Sequence, residues 1–158
     1  MTTTVNQLLN TKDDEIFSVT PDALVIDAIK MMDAKKVGAL LVTEKNNKLV
    51  GIVSERDYTR KVILKDRSSA KTKVSEIMTS DLKTADPSQS LEECMVIMSH
   101  SHIRHLPIVK DGQAIGILSI MDVVKNIISE QEFTIEQLQH YITAVSYTHL
   151  TLPTICSV

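Results

Sequence analysis

Tryptophan is absent from this chain, and Phe and Tyr together make up only 3% of it. The core must therefore be aliphatic, built from Val, Ile, Leu and Met. Cysteine is almost absent too, with only Cys94 and Cys156. The opening Met1-Thr2-Thr3-Thr4-Val5-Asn6-Gln7 lacks the charged and apolar regions of a secretory leader. These two absences point to a reducing cytoplasm and exclude a disulfide framework. No apolar run is long enough to span a bilayer, so no membrane partner is expected. Nor does one charge sign dominate: a net charge of −3 gives no electrostatic attraction for nucleic acid. What is present, 43% hydrophobic and 23% charged residues, fits a soluble globular protein. The 158 residues suffice for one ordinary domain or two small ones. At that size roughly 68–70% of the unfolded surface can be buried.

One stretch organises the rest. Gly51-Ile52-Val53-Ser54-Glu55-Arg56-Asp57 recurs as Gly116-Ile117-Leu118-Ser119-Ile120-Met121-Asp122. Each copy reads as an apolar strand that ends in Ser and enters a helix. Gly permits close approach to the backbone. Ser can cap the helix, with Asp in its first turn. A single Ser-x-x-Asp is explained by helix capping alone. Two copies in matching context, each behind a Gly, are what a shared ligand-binding corner requires.

The repeat extends further. Thr20-Pro21 matches Asp86-Pro87, and Val25, Ala28, Ile29 and Met32 match Leu91, Cys94, Met95 and Met98. Val37-Gly38-Ala39-Leu40-Leu41-Val42 matches Ile103-Arg104-His105-Leu106-Pro107-Ile108. Asn46-Asn47 and Asp111-Gly112 are both hairpin-turn sequences.

In chain order, residues 1–10 form an arm or short helix, 11–69 the first repeat and 70–132 the second. In the first repeat, a strand at Ile16–Val19 precedes a helix opened by Pro21. Val25, Ala28, Ile29 and Met32 follow i, i+3, i+4, i+7, which is one buried helical face. A buried strand, Val37–Val42, pairs with Leu49–Val53, and Ser54 opens a helix to about Lys65. The second repeat carries a short helix at Val74–Met78, a strand at Leu82–Thr84 and a helix over Ser88–His100 capped by Ser88 or Ser90. A hairpin of Ile103–Val109 and Ala114–Leu118 and a helix from Ser119 to about Glu130 complete it. Each repeat is thus β-α-β-β-α, an α/β (α+β) unit too small to be comfortable alone, so the two should pack with pseudo-twofold symmetry. A separate helix, 133–144, starts with Thr134 as its cap. Residues 145–158 have no repeat partner and no regular pattern. They resemble translated sequencing-adapter DNA and read as a non-native tail.

Other chemistry is thin. His100, His102 and His105 straddle a helix end and a strand, a spacing that does not converge on a metal. Cys94 falls on a buried helical stripe, with no Cys/His arrangement around it. Arg56, Arg60 and Lys61 form a solvated helix face from which phosphate could be reached. No activated nucleophile or acid–base pair is evident beyond the two motif Asp residues, which lie in separate repeats, so no enzyme is expected.

The duplicated Gly-apolar-x-Ser-x-x-Asp unit resembles the cystathionine β-synthase (CBS) domain pair, or Bateman module, over about Thr11 to Glu132, as in stand-alone bacterial two-CBS proteins. The resemblance implies a regulatory module that binds adenosine-containing ligands such as AMP, ADP, ATP, NAD or S-adenosylmethionine in clefts between the repeats. No catalytic cofactor is implied. Asp57 and Asp122 would take the ribose hydroxyls, with Ser54 and Ser119 toward sugar or phosphate at positive helix ends. The adenine slots would be Val19, Thr20 and Pro21 with Val37, Gly38 and Ala39, and Lys83, Thr84 and Ala85 with Ile103. Arg104, His105, Leu106 and Pro107 resemble the strand that contacts phosphate in kinase-regulating members, and Arg104 has the planar fork for it. Only the second repeat has these groups, so the second motif and Asp122 should carry binding more than Asp57. The resemblance also implies a disc-shaped homodimer through the motif helices, using Tyr58, Val62, Ile63, Val123, Val124, Ile127 and Ile128. The regulated protein partner is not encoded. The competing reading is a structural homodimerisation module with degenerate pockets and no ligand.

Deleting Val145–Val158 should leave folding intact. The melting temperature of the truncated chain should match that of the full chain, and a drop of many degrees would show that the tail packs on the domain.

Overall fold

The computed structural model describes residues 3–11 and 16–149. Two compact units divide between Ile120 and Met121. The first contains both β-hairpins. β1 (Ser18–Val19) pairs parallel with β2 (Ala39–Thr43), which pairs antiparallel with β3 (Leu49–Ser54). All five β2 residues are buried, as a strand apolar on both faces requires. The helix α2 (Val25–Lys35) buries Val25, Ala28 and Met32, with Ile29 partly buried beside them. In the second repeat, α5 (Leu91–Ser101) buries Leu91, Cys94 and Met98. Its hairpin is β4 (His105–Lys110) with β5 (Gln113–Ser119). Among the described residues the buried hydrophobic side chains are aliphatic or sulfur-containing, with Phe17 and Tyr58 partly buried against them.

The turns follow their residue types. Asp111 and Gly112 have positive φ and close a two-residue turn between Lys110 and Gln113, whereas Asn46 and Asn47 take positive φ within a longer loop that carries one 3-10 turn, Lys45–Asn47. The helices α2 and α5 end alike. Lys36 and His102 are left-handed caps, and the next N–H, of Val37 or Ile103, donates to Met32 or Met98 at 3.0 Å.

Three expectations are corrected. No strand forms at Leu82–Thr84. Only Ala85 joins β4, donating to Pro107 O at 3.0 Å and accepting from Val109 N at 2.9 Å. The preceding Lys83 and Thr84 are exposed and belong to neither sheet. The motif helix of the first repeat is α3 (Glu55–Tyr58) continued by one wide π turn, Thr59–Ile63, rather than a regular helix to Lys65. Finally, there is no break before Thr134. One helix, α6 (Ile120–His149), runs through it. No Gly or Pro interrupts this stretch, and the Thr134 hydroxyl donates back to Glu130 O at 3.0 Å instead of capping. Leu150–Val158 lie outside the described residues. Of the motif-helix residues expected to offer spare apolar surface, Val62 and Val123 are fully buried, while Ile63 and Ile128 are exposed.

The two repeats exchange their leading segments. The stretch before repeat 1, which opens α1 (Val5–Thr11), docks at the start of α5. Val5 N donates to Gln89 O at 2.9 Å, Asn6 N to Pro87 O at 2.9 Å, and Leu91 N to Thr3 O at 3.0 Å. The stretch that begins repeat 2 and opens α4 (Val74–Ile77) docks at the start of α2 in the same way. Val74 N donates to Ala23 O at 2.8 Å, Ser75 N to Pro21 O at 3.0 Å, and Val25 N to Thr72 O at 2.8 Å. Val5 and Val74 are both fully buried. Just past α4, Thr79 forms an antiparallel bridge with Ile52 on β3, with bonds of 2.9 and 3.0 Å.

The motif glycines lie under these exchanged segments. A Cβ at Gly51 would fall 2.7 Å from Met78 Sδ and 3.1 Å from Thr79 O, whereas one at Gly116 would meet only the Leu9 side chain, at 2.9 Å. Gly51→Ala should therefore destabilise the chain by about 1–3 kcal/mol, because backbone has to move. Gly116→Ala should cost less, because Leu9 can rotate away. Urea denaturation of both variants measures the order.

Candidate functional site

Ser54 ends β3 in extended geometry, and its hydroxyl accepts from Asp57 N at 3.2 Å. Asp57 Oδ2 accepts in return from Ser54 N at 3.0 Å and from the Ser54 hydroxyl at 3.1 Å. The capping function is thus present. The other oxygen, Oδ1, faces Lys61 Nζ at 3.2 Å and the Thr79 hydroxyl at 3.4 Å. Lys61 Nζ also donates to Ile77 O at 2.8 Å, at the end of α4. The motif corner is tied to its sheet by Glu55 N, which donates to Gly38 O at 3.1 Å. Ile120 N donates to Arg104 O at 2.9 Å at the equivalent place in repeat 2.

This corner opens on a cavity of about 780 Å³, within the size range of small-molecule sites. Repeat 1 supplies Gly38, Ser54, Arg56 and Asp57, and repeat 2 supplies Ile103, Arg104, His105 and Pro107. The cavity therefore combines the motif of one repeat with the strand of the other. Arg104 and His105 adjoin the second motif along the backbone, where His105 faces Ser119 across the hairpin, and both also line the cavity of Ser54 and Asp57. The His105 ring lies beside Gly38, where a Cβ would come within 3.7 Å of its Cε1. The physical reason is the exchange of segments, which lays Thr79–Lys83 across the first motif and carries the second repeat with it.

Of the other expected residues, Thr20, Pro21, Val37, Ala39, Thr84 and Ala85 do not line this cavity. Ala39 and Ala85 are buried, and Thr20 and Thr84 are exposed. Ser119 ends β5 and Asp122 lies in the first turn of α6. Sequence reasoning missed Ile52, Glu55, Thr79, Asp81, Leu82, Ser101 and His102 as cavity residues. Lys61, on the charged face expected to lie within reach of phosphate, pairs with Asp57. No repeat pattern marks Thr79 or Asp81, because they precede the strand matched between repeats.

Three full cations, Arg56, Lys83 and Arg104, and two histidines share the cavity with the carboxylates of Glu55, Asp57 and Asp81. That mixture suits a ligand with an anionic end and a hydroxyl-rich part. A second hollow, of about 550 Å³, is lined by Thr4, Asn6, Asp86, Pro87, Ser88, Lys110 and Ile115. Its carboxylate is committed: the Ser88 hydroxyl, at 2.6 Å, and Ser88 N, at 2.9 Å, hold Asp86 below the usual carboxylate range. Among the described residues no group of His, Cys, Asp and Glu could hold a metal ion, and no helix is long and apolar enough to cross a membrane.

Fold and cavity together define a duplicated α/β module with a cavity of small-molecule size between its two repeats. The family model for the CBS domain matches residues 5–63 and 74–129, so the chain belongs to the CBS domain family as a tandem pair. A mitochondrial CBS domain-containing protein of Arabidopsis thaliana, CBSX3, is 38% identical over 148 residues, covering 89% of this chain and 72% of that protein. The structure of a protein with CBS domains from Burkholderia ambifaria matches with a TM-score of 0.77 at 48% identity, covering 82% of this chain and 96% of that one. The CBS domain pair of protein MJ0100, 21% identical, shares the fold with a TM-score of 0.73, covering 82% of this chain and 99% of that one. Its structure is of a complex with 5′-methylthioadenosine and S-adenosyl-L-methionine.

Cys94 has no part in this chemistry. It is fully buried, and burial, aided by the charge of Glu93, pushes its thiol up to about 11. The neutral thiol is the form the fold favours. Its stabilising contribution is present at neutral pH and lost as pH rises from the ordinary thiol range toward about 11. In a Cys156→Ser background at neutral pH, iodoacetamide should label Cys94 far more slowly in the folded chain than in urea. Comparable rates would show that the thiol is open.

Proposed function

We propose that this module is a sensor of adenosine-containing nucleotides (AMP, ADP, ATP or NAD) rather than an enzyme. The observation that carries the reading is the meeting of Ser54 and Asp57 with Arg104, His105 and Lys83 around one cavity. In this reading Asp57 receives the ribose hydroxyls and the cations receive phosphate. The four acceptor positions of Asp57 are already used by Ser54 N, Ser54 Oγ, Thr79 Oγ1 and Lys61 Nζ. The two on Oδ1 are exchangeable: the Thr79 bond is long, and the Lys61 side chain is 43% exposed. A cis-diol takes their place on Oδ1 and leaves the helix cap on Oδ2 intact. Because Lys61 also holds the end of α4, occupancy reaches the segment joining the repeats. Ligand state passes to a protein partner through that segment or through association of two copies.

The full use of Asp57 within the chain favours a second reading, a structural module without ligand, and one experiment separates the two. Adenosine nucleotides at 100 times their dissociation constant add about 2.7 kcal/mol of stability. In a chain of this size that raises the melting temperature by several degrees. Asp57→Asn and Arg104→Gln should each weaken binding by about 1–3 kcal/mol, the range for hydrogen bonds to charged groups. The measurement is a thermal-shift series with AMP, ATP, NAD and GTP. No shift of the wild type with any adenosine nucleotide leaves the structural reading. Full binding by Asp57→Asn removes the role given to this corner.

A further inference from the structure

We infer that α6 is a dimerisation helix, pairing in parallel and in register with the same helix of a second copy. The observation is the spacing of its apolar residues. Met121, Val124, Ile128, Gln131, Ile135, Leu138 and Ile142 recur at alternating steps of three and four. That period of 3.5 keeps a seam facing another helix over its whole length, which an ordinary 3.6-period core face does not do. The stretch spans three heptads, about 33 Å of helix.

The seam is open in this chain. Met121 is 55% exposed, Ile128 48%, Ile135 53%, Leu138 56% and Ile142 59%. These are five of the seven exposed large hydrophobic residues described on the helix; Phe133 and Tyr141 lie off the seam. Its residue choice names the partner. Ile occupies three successive first positions, 128, 135 and 142, and Leu the facing position 138, the combination that favours two parallel strands. In a parallel, in-register pair the one polar residue of the seam, Gln131, meets Gln131 of the other copy. A side-chain amide both donates and accepts, so that pair satisfies itself. A different helix would have to bring a matching polar group to that layer.

Charge disfavours the obvious competitor, a lipid surface. From Met121 to Ile142 the helix carries Asp122, Glu130, Glu132 and Glu136 against Lys125 alone. Interfacial helices are rich in Lys and Arg instead.

The test uses the full chain in a Cys156→Ser background, with Ile135→Cys on the seam and Phe133→Cys off it. Both positions are exposed, so neither change disturbs a core. Under mild oxidation Ile135→Cys should give a covalent dimer at micromolar concentration, and Phe133→Cys should not. Adding Leu138→Glu to Ile135→Cys should abolish the crosslink while the melting transition of the module is kept. No crosslink at 135, equal crosslinking at 133, or persistence with Leu138→Glu overturns the inference. Anionic vesicles added to the wild type should not increase its helix signal or sediment with it; co-sedimentation would also overturn it. None of these readouts depends on nucleotide binding, so they stand or fall apart from the ligand proposal.

Discussion

The reciprocal exchange of leading segments is the constraint on which the two-repeat unit depends. Each repeat leaves the backbone groups at the start of its first helix to be satisfied by the segment that leads into the other repeat. Val25 N reaches Thr72 O, and Leu91 N reaches Thr3 O. Buried backbone groups must find partners, so neither half can close alone without exposing or orphaning them. The apolar side of the same constraint is Val5 and Val74, each fully buried in the contact. The β-hairpins can then be small, because the core they cover is shared.

The cavity is a consequence of that exchange. Once α4 has docked on repeat 1, the chain must run along β3 as the Thr79–Ile52 bridge before it reaches the hairpin of repeat 2. This lays Thr79, Asp81 and Lys83 over the Ser54–Asp57 corner and brings Arg104 and His105 opposite it. Lys61 joins the two levels, with Asp57 on one side and the last carbonyl of α4 on the other. The π turn at Thr59–Ile63 lies in the same stretch. Wide turns of this kind alter the direction of the side chains they carry, and they recur at functional sites.

Much of the local structure was legible in the residues. The i, i+3, i+4, i+7 stripe of Val25, Ala28, Ile29 and Met32 is the buried face of α2. The buried strand at Ala39–Thr43 and the turns at Asn46-Asn47 and Asp111-Gly112 stand where their residue types demand. The failures have distinct causes. Leu82–Thr84 carries strand-like residues but finds no ladder, since only Ala85 is in reach of β4. Thr134 carries the chemistry of a cap, but a cap needs a break in the helix. With no Gly or Pro near it, the hydroxyl bonds back to Glu130 instead.

The sequence by itself determined the duplication, the aliphatic core and the two Ser-x-x-Asp corners. All are properties of periodicity and residue type, which act over a few neighbouring positions. Only the tertiary structure decided which strand faces which corner. The two repeats offer near-equivalent apolar faces, so pattern alone allows Arg104 and His105 to serve either motif. The choice was made by hydrogen bonds between residues about 50 to 85 positions apart, such as Val25 with Thr72 and Val5 with Gln89. Contacts at that separation leave no mark on local periodicity, because loop closure is governed by what the ends gain when they meet.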